Sequence, residues 1–164
     1  MIFVDTSFFV ALLDPRDKNH TPAVEAFESF QNRRLKDLLL TTNNVVLETI
    51  TVARYEAGHS LAVKAGEMLY GEKLARLHRT NAEEEAAAFA YLRKHEDKEY
   101  SAVDCLSFVV MEKLGIREAL AFDSDFGHRF VMTRAGQATT TGKAAIEPPA
   151  RLAAGDPLLR HDRG

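Results

Sequence analysis

Four acidic residues sit at the ends of apolar segments in this chain: Asp5, Glu48, Asp104 and Asp123. Asp5 closes the run Met1-Ile2-Phe3-Val4, and Asp123 closes Ala119-Leu120-Ala121-Phe122. Both runs read as buried strands of a parallel sheet, and Glu48 and Asp104 fall near the starts of two apolar helices. The carboxyl ends of parallel strands are where an open α/β sheet builds its ligand site. Left uncompensated, carboxylates gathered there repel: two charges about 4 Å apart cost roughly 4 kcal/mol at an effective dielectric of about 20. Hard divalent cations relieve that repulsion, so the pattern points to Mg²⁺ or Mn²⁺ and to phosphate chemistry.

Each acid also has a plainer use. Asp5 precedes a helix and suits an N-cap, although Thr6 and Ser7 offer the same capping chemistry and could instead steady a metal-bound water. Glu48 borders the apolar stripe marked by Val45 and Val52, where a carboxylate can either reach into a cleft or stay in solvent. Ser101-Ala102-Val103-Asp104 fits a capping box, yet Phe108 and Met111 continue the Asp104 face inward, where an acid is costly unless it binds a cation. Asp123-Ser124-Asp125 carries more acid than a cap needs. Asp123, nearer the strand, is the better ligand, and Asp125 is an auxiliary ligand or a helix-start charge. The plain uses are individually sufficient, but one sheet edge collecting all four acids favours a site.

The elements that would position these residues alternate between strand and helix. Residues 1–5 predict a buried strand. A helix over Thr6 to Asp14 carries Phe8, Phe9, Leu12 and Leu13 and stops at Pro15. The polar turn 16–19 leads to a helix from about Thr21, with Pro22 at a favourable first position. Leu38–Thr41 reads as the second strand, Asn43 onward as the third helix, and Ser60 to Tyr70 as the fourth, after Gly58. Residues 73–79 form a weakly alternating third strand. Residues 81–95 form a helix whose Glu83-Glu84-Glu85 start is read as solvated and favoured by the macrodipole. The Asp104 helix (101–114) follows, then a Gly115 stop, the 119–122 strand, a short helix from Ser124 and an edge strand at Val131-Met132. This alternation gives an α/β fold with a parallel sheet. Beyond residue 133 periodic apolar spacing ends and three of the five prolines cluster, so 134–164 reads as a mobile or loosely docked tail on a 1–133 domain.

At 164 residues, with 46% hydrophobic and 27% charged content, the chain is sized for one globular domain with a real core. Its formal charge of −3 argues against a protein that coats nucleic acid, but not against a nuclease, because bound ions change the sum. Cys105 is the one cysteine, which excludes an intramolecular disulfide and a cysteine-rich zinc site. The six histidines lack metal-ligand spacing and read as surface residues. No leader-like segment or membrane-span window is found, so the expected location is cytoplasmic.

The opening Ile-Phe-Val-Asp5-Thr-Ser, then Thr42-Asn43-Asn44-Val45-Val46-Leu47-Glu48, Ser101-Ala102-Val103-Asp104 and Ala121-Phe122-Asp123-Ser124-Asp125-Phe126, resembles in order and spacing the PIN-domain ribonucleases. In size the chain looks like the VapC-type toxins of toxin–antitoxin pairs. The resemblance covers roughly residues 1–133 and implies a three-layer α/β/α fold around a mostly parallel sheet of four to five strands. It also implies a metal-dependent endoribonuclease in which Asp5, Asp104 and Asp123 hold Mg²⁺ or Mn²⁺ and Glu48 helps orient the attacking water. A homodimer is implied too, together with a cognate antitoxin that blocks the site. Val45, Val46, Ile50, Leu61, Val63 and Leu69 on the third and fourth helices offer either a groove for it or ordinary core.

Arg54, Lys64, Lys73, Arg76 and Arg79 are the candidate phosphate contacts, though Glu56, Glu67 and Glu72 are interspersed as on any solvated surface. Competing readings are an RNA-processing or decay nuclease without an antitoxin, a catalytically silent RNA- or protein-binding module, and a phosphatase using an Asp nucleophile. The last wants a second acid two residues on, and Asp5-Thr6-Ser7 lacks it.

Overall fold

The computed structural model describes residues 1–30 and 38–122 in full, and 131–132 as backbone. Five short strands, β1 (Ile2–Val4), β2 (Leu39–Thr42), β3 (Arg76–His78), β4 (Glu118–Leu120) and β5 (Val131–Met132), form one sheet in the order β3-β2-β1-β4-β5. Every pairing is parallel. Successive strands step outward from β1 to β3, and the chain then returns to place β4 on the other side of β1. The switch point therefore lies between β1 and β4, and a ligand site belongs beyond their carboxyl ends.

Six helices are described: α1 (Thr6–Leu13), α2 (His20–Glu28), α3 (Asn43–Glu56), α4 (His59–Tyr70), α5 (Ala82–Lys94) and α6 (Ala102–Lys113). α1 packs on α2 and α3, α3 lies along α4, and α5 lies along α6. Central strands with no exposed face explain the continuous apolar runs: Phe3, Val4, Leu39, Leu40, Ala119 and Leu120 are all buried. The weak alternation at 73–79 has its reason in β3 being an edge strand whose first residue, Arg76, is exposed. The expected Val131-Met132 edge strand is present beside β4.

Some boundaries move. β4 ends at Leu120, so Ala121 and Phe122 leave the sheet before Asp123 is reached. Pro22 is the third residue of α2, not the first, but still falls in the first turn, where its missing N–H costs no helix bond. The helix expected from Ser124 and the 134–164 tail lie outside the described residues.

The acidic start of α5 is not uniformly solvated. Glu83 and Glu85 are exposed, but Glu84 is 2% exposed. Its carboxylate completes a capping box with Asn81, accepts a 3.0 Å bond from Lys113 Nζ of α6, and lies 3.1 Å from His78 Nε2 of β3. Burial alone would push Glu84 upward, but the bonds from Lys113, His78 and the Asn81 backbone outweigh it and hold the carboxyl below its ordinary value. Two other histidines are also structural: His20 Nδ1 lies 2.8 Å from the Ala11 carbonyl, and His95 stacks on Tyr91 at 4.0 Å. His128 and His161 lie outside the described residues.

A folded-state pKa below the ordinary 4.5 means that Glu84 stabilises the fold above that pH and stops doing so as pH falls through the lowered value. Glu84→Gln is expected to lower unfolding stability by about 2 kcal/mol at pH 7. Urea titrations of both proteins should show the gap closing below about pH 4.5.

Candidate active site

Asp5 follows β1 directly and caps α1. Its Oδ2 accepts the Ser7 backbone N–H at 3.0 Å and the Ser7 hydroxyl at 2.8 Å, and its own N–H donates to the Leu120 carbonyl of β4 at 3.0 Å. The cap and the site are thus one feature. The side chain is 4% exposed and its pKa is raised to about 6. Burial is the leading cause, the Ser7 bonds oppose it, and repulsion from Asp104 is the smallest contribution. Desolvation, rather than the like-charge repulsion expected from the spacing, is what strains this carboxylate.

Glu48 comes from the second turn of α3, whose start is capped by Thr42 at the end of β2. The Thr6 hydroxyl donates to Glu48 Oε2 at 2.6 Å, which ties α1 to α3. Asp104 stands in the first turn of α6 and completes the capping box: Ser101 N–H donates to Asp104 Oδ2 at 2.8 Å, and Asp104 N–H donates to Ser101 Oγ at 3.0 Å. α6 is buried on nearly every side from Cys105 to Met111, so Phe108 and Met111 do not single out an inward face. Asp104 itself remains half-buried at the mouth.

Asp5, Glu48 and Asp104 line one cavity of about 510 Å³ beyond the carboxyl ends of β1 and β4. Val10, Val52 and Phe122 supply its apolar wall, and Asp17, Asn19, Glu56, Glu99 and Ser101 complete the lining. Among the described residues no basic side chain contributes. Glu56 was detectable in the sequence, since Glu48, Val52 and Glu56 repeat at helical spacing on one face. Asp17, Asn19 and Glu99 come from connecting segments and carried no periodic signal. Thr6 and Ser7 serve protein carboxylates directly, a different role from steadying water. Asp123 and Asp125 lie outside the described residues.

The donor set is all oxygen, half or more withdrawn from solvent at Asp5, Glu48 and Asp104, which suits a hard divalent ion. No group of three or more acids, histidines or cysteines among the described residues closes tightly enough to enclose an ion by itself. Cys105 adds nothing, because burial and then Asp104 push its thiol up to about 11 and keep it protonated.

The five candidate RNA contacts are not brought to the cavity: none lines it, and Arg76, Arg79, Lys64 and Lys73 are exposed elsewhere. Arg54 lines a second, outer groove of about 640 Å³ between α3 and α4, with Ile50, Tyr55, Ala62, Val63 and Gly66. Of the six residues expected for such a groove, Val45, Val46 and Leu69 are fully buried core, Leu61 packs against the core, and Ile50 and Val63 line the groove.

A family model described as PIN domain matches residues 2–129. The chain is similar to the 23S rRNA-specific endonuclease VapC20 of Mycobacterium tuberculosis, at 39% identity over 126 residues, 77% of this chain and 92% of the relative, in strains CDC 1551 and H37Rv alike. The crystal structure of that VapC20, described as a sarcin–ricin loop cleaving toxin, superposes with a TM-score of 0.74 at 37% identity, over 82% of this chain and 99% of the other. FitAcB from Neisseria gonorrhoeae shares the fold, with a TM-score of 0.55 at 17% identity, over 81% of this chain and 97% of the other.

An Asp5 pKa raised from 3.8 to about 6 means that the metal-free folded state binds this proton more tightly than the unfolded chain does. Stability is therefore lost as pH rises from about 4 through 6, by about 3 kcal/mol in all. Asp5→Asn should remove that slope and be at least as stable as wild type at pH 7 in metal-free denaturant titrations. A marked loss of stability instead would show that the charged cap outweighs desolvation.

Proposed function

Because the chain belongs to the PIN-domain family, we propose that it is a divalent-ion-dependent endoribonuclease acting as the toxin of a toxin–antitoxin pair. The observation that carries this reading is the meeting of Asp5, Glu48 and Asp104 in one cavity at the switch point of the sheet. The similarity to an endonuclease named for 23S rRNA makes large-subunit ribosomal RNA the first substrate to test.

Asp5 and Asp104 would hold Mg²⁺ or Mn²⁺, with Asp123 the third ligand that the family resemblance implies. A bound ion supplies charge neutralisation at the phosphate and a more acidic water. Glu48, fixed through Oε2 by Thr6, orients the attacking water for in-line displacement at phosphorus. The products are a 5′-phosphate and a 3′-hydroxyl. Because every charged side chain in its described lining is acidic, the cavity repels the phosphate backbone until cations are bound, which couples RNA binding to ion binding.

The proposal extends to a homodimer acting in the cytoplasm, with an apolar antitoxin segment seated in the α3–α4 groove at Ile50, Tyr55 and Val63. Among the described residues no helix is long and apolar enough to cross a membrane.

Incubation of ribosomal and total cellular RNA with wild type and Asp104→Asn, in Mg²⁺, Mn²⁺ or EDTA, tests the reading. Discrete cleavage that needs the ion and disappears in the variant is expected. Cleavage that persists in EDTA or in Asp104→Asn would overturn it.

A further inference from the structure

Ser7 has three hydrogen bonds that converge on two elements. Its N–H and hydroxyl both donate to Asp5 Oδ2, and its hydroxyl oxygen accepts the Phe122 backbone N–H at 3.0 Å. Phe122 stands two residues past the end of β4, beyond the reach of the sheet ladder, so Ser7 supplies the partner that a strand no longer does. The neighbouring Phe8 packs on the same residue, its ring stacked on that of Phe122 at 5.9 Å and 8°. The first turn of α1 therefore grips the chain leaving β4 by backbone and by ring, and Ser7 and Phe122 both face the acidic cavity.

We infer that Ser7 is a positioning residue that sets the orientation of the Asp5 carboxylate by locking it to the β4 exit. This rests on the metal-dependent reading of the cavity. With Oδ2 engaged by both Ser7 donors, rotation of the carboxylate about χ2 would break two bonds, so Asp5 offers its other oxygen, Oδ1, to a cation. That single-oxygen presentation suits the octahedral preference of Mg²⁺. Ser7 touches neither RNA nor the reacting phosphate. Removing its hydroxyl leaves the N-cap bond from the backbone intact, but takes away one of the two bonds that hold Oδ2 and leaves the Phe122 N–H without its partner.

The test is a graded series, Ser7→Thr, Ser7→Cys and Ser7→Ala, read by Mn²⁺ binding to the RNA-free protein through the electron-paramagnetic signal of free Mn²⁺. Cleavage as a function of ion concentration and hydrogen exchange at the Phe122 amide complete the readouts. Ser7→Ala is expected to weaken Mn²⁺ binding by about 10- to 100-fold. The ion concentration for half-maximal cleavage should rise in parallel while the saturated rate changes little, and the Phe122 amide should lose protection. Ser7→Thr, which keeps the hydroxyl, restores wild-type binding, and Ser7→Cys, a weaker donor, falls between. If Ser7→Ala does not fold, the Thr and Cys variants carry the comparison. Wild-type affinity across the series would overturn the positioning role while leaving the nuclease reading intact. A wild-type protein that binds no Mn²⁺ would overturn both.

Discussion

The arrangement of this molecule depends on holding one carboxylate out of water at the exit of its central strand. Asp5 follows β1, the strand flanked by β2 and β4, and its backbone N–H is already committed to Leu120. Burial raises its pKa to about 6, so at neutral pH the folded chain carries an ionised group that its own surroundings disfavour. The surroundings reduce that cost with short, local donors from the first turn of α1. A buried carboxylate with a raised pKa in a cavity is a pattern common at functional sites.

The remaining acids reach the same cavity by a repeated device. Asp5, Thr42 and Ser101 each cap a helix, and each of those helices brings an acid at or near its start: Asp5 itself, Glu48 in the second turn of α3, and Asp104 in the first turn of α6. A capped N-terminus presents partial positive charge from its unpaired N–H groups. Two such ends, those of α1 and α6, border the cavity and soften the mutual repulsion of its acids. Outside the cavity, the Glu84–Lys113–His78 group joins β3, α5 and α6, and so braces the helix that carries Asp104.

Much of this was legible in the residues. The apolar runs at 1–4 and 119–122, the capping signal at Ser101, and the helical periodicity of α1, α3 and α5 are local features, set by neighbours within a few positions. The order of the strands was not legible, because pairing is decided between residues tens of positions apart. The same limit explains Glu84. Its capping box is local, but its burial arises from Lys113, 29 residues away. Asp104 shows the opposite case: the capping box and the site were rival explanations, and the structure places the capping carboxylate at the cavity. The basic residues between the second and third motifs lie away from the cavity, because charge in a sequence says nothing about which side of the fold it will occupy.

Thr6 and Ser7 are consecutive, yet they serve opposite neighbours, α3 through Glu48 and the β4 exit through Phe122. Adjacent helical residues point about 100° apart, so consecutive hydroxyls on α1 can reach partners on two different elements. The β1–α1 junction therefore acts as an angular index. Inserting or deleting one residue there would rotate both hydroxyls together and disengage both partners, whereas the same change in the polar turn after Pro15 would leave their phase untouched. Length variation in relatives that keep this geometry should accordingly fall outside the first seven residues.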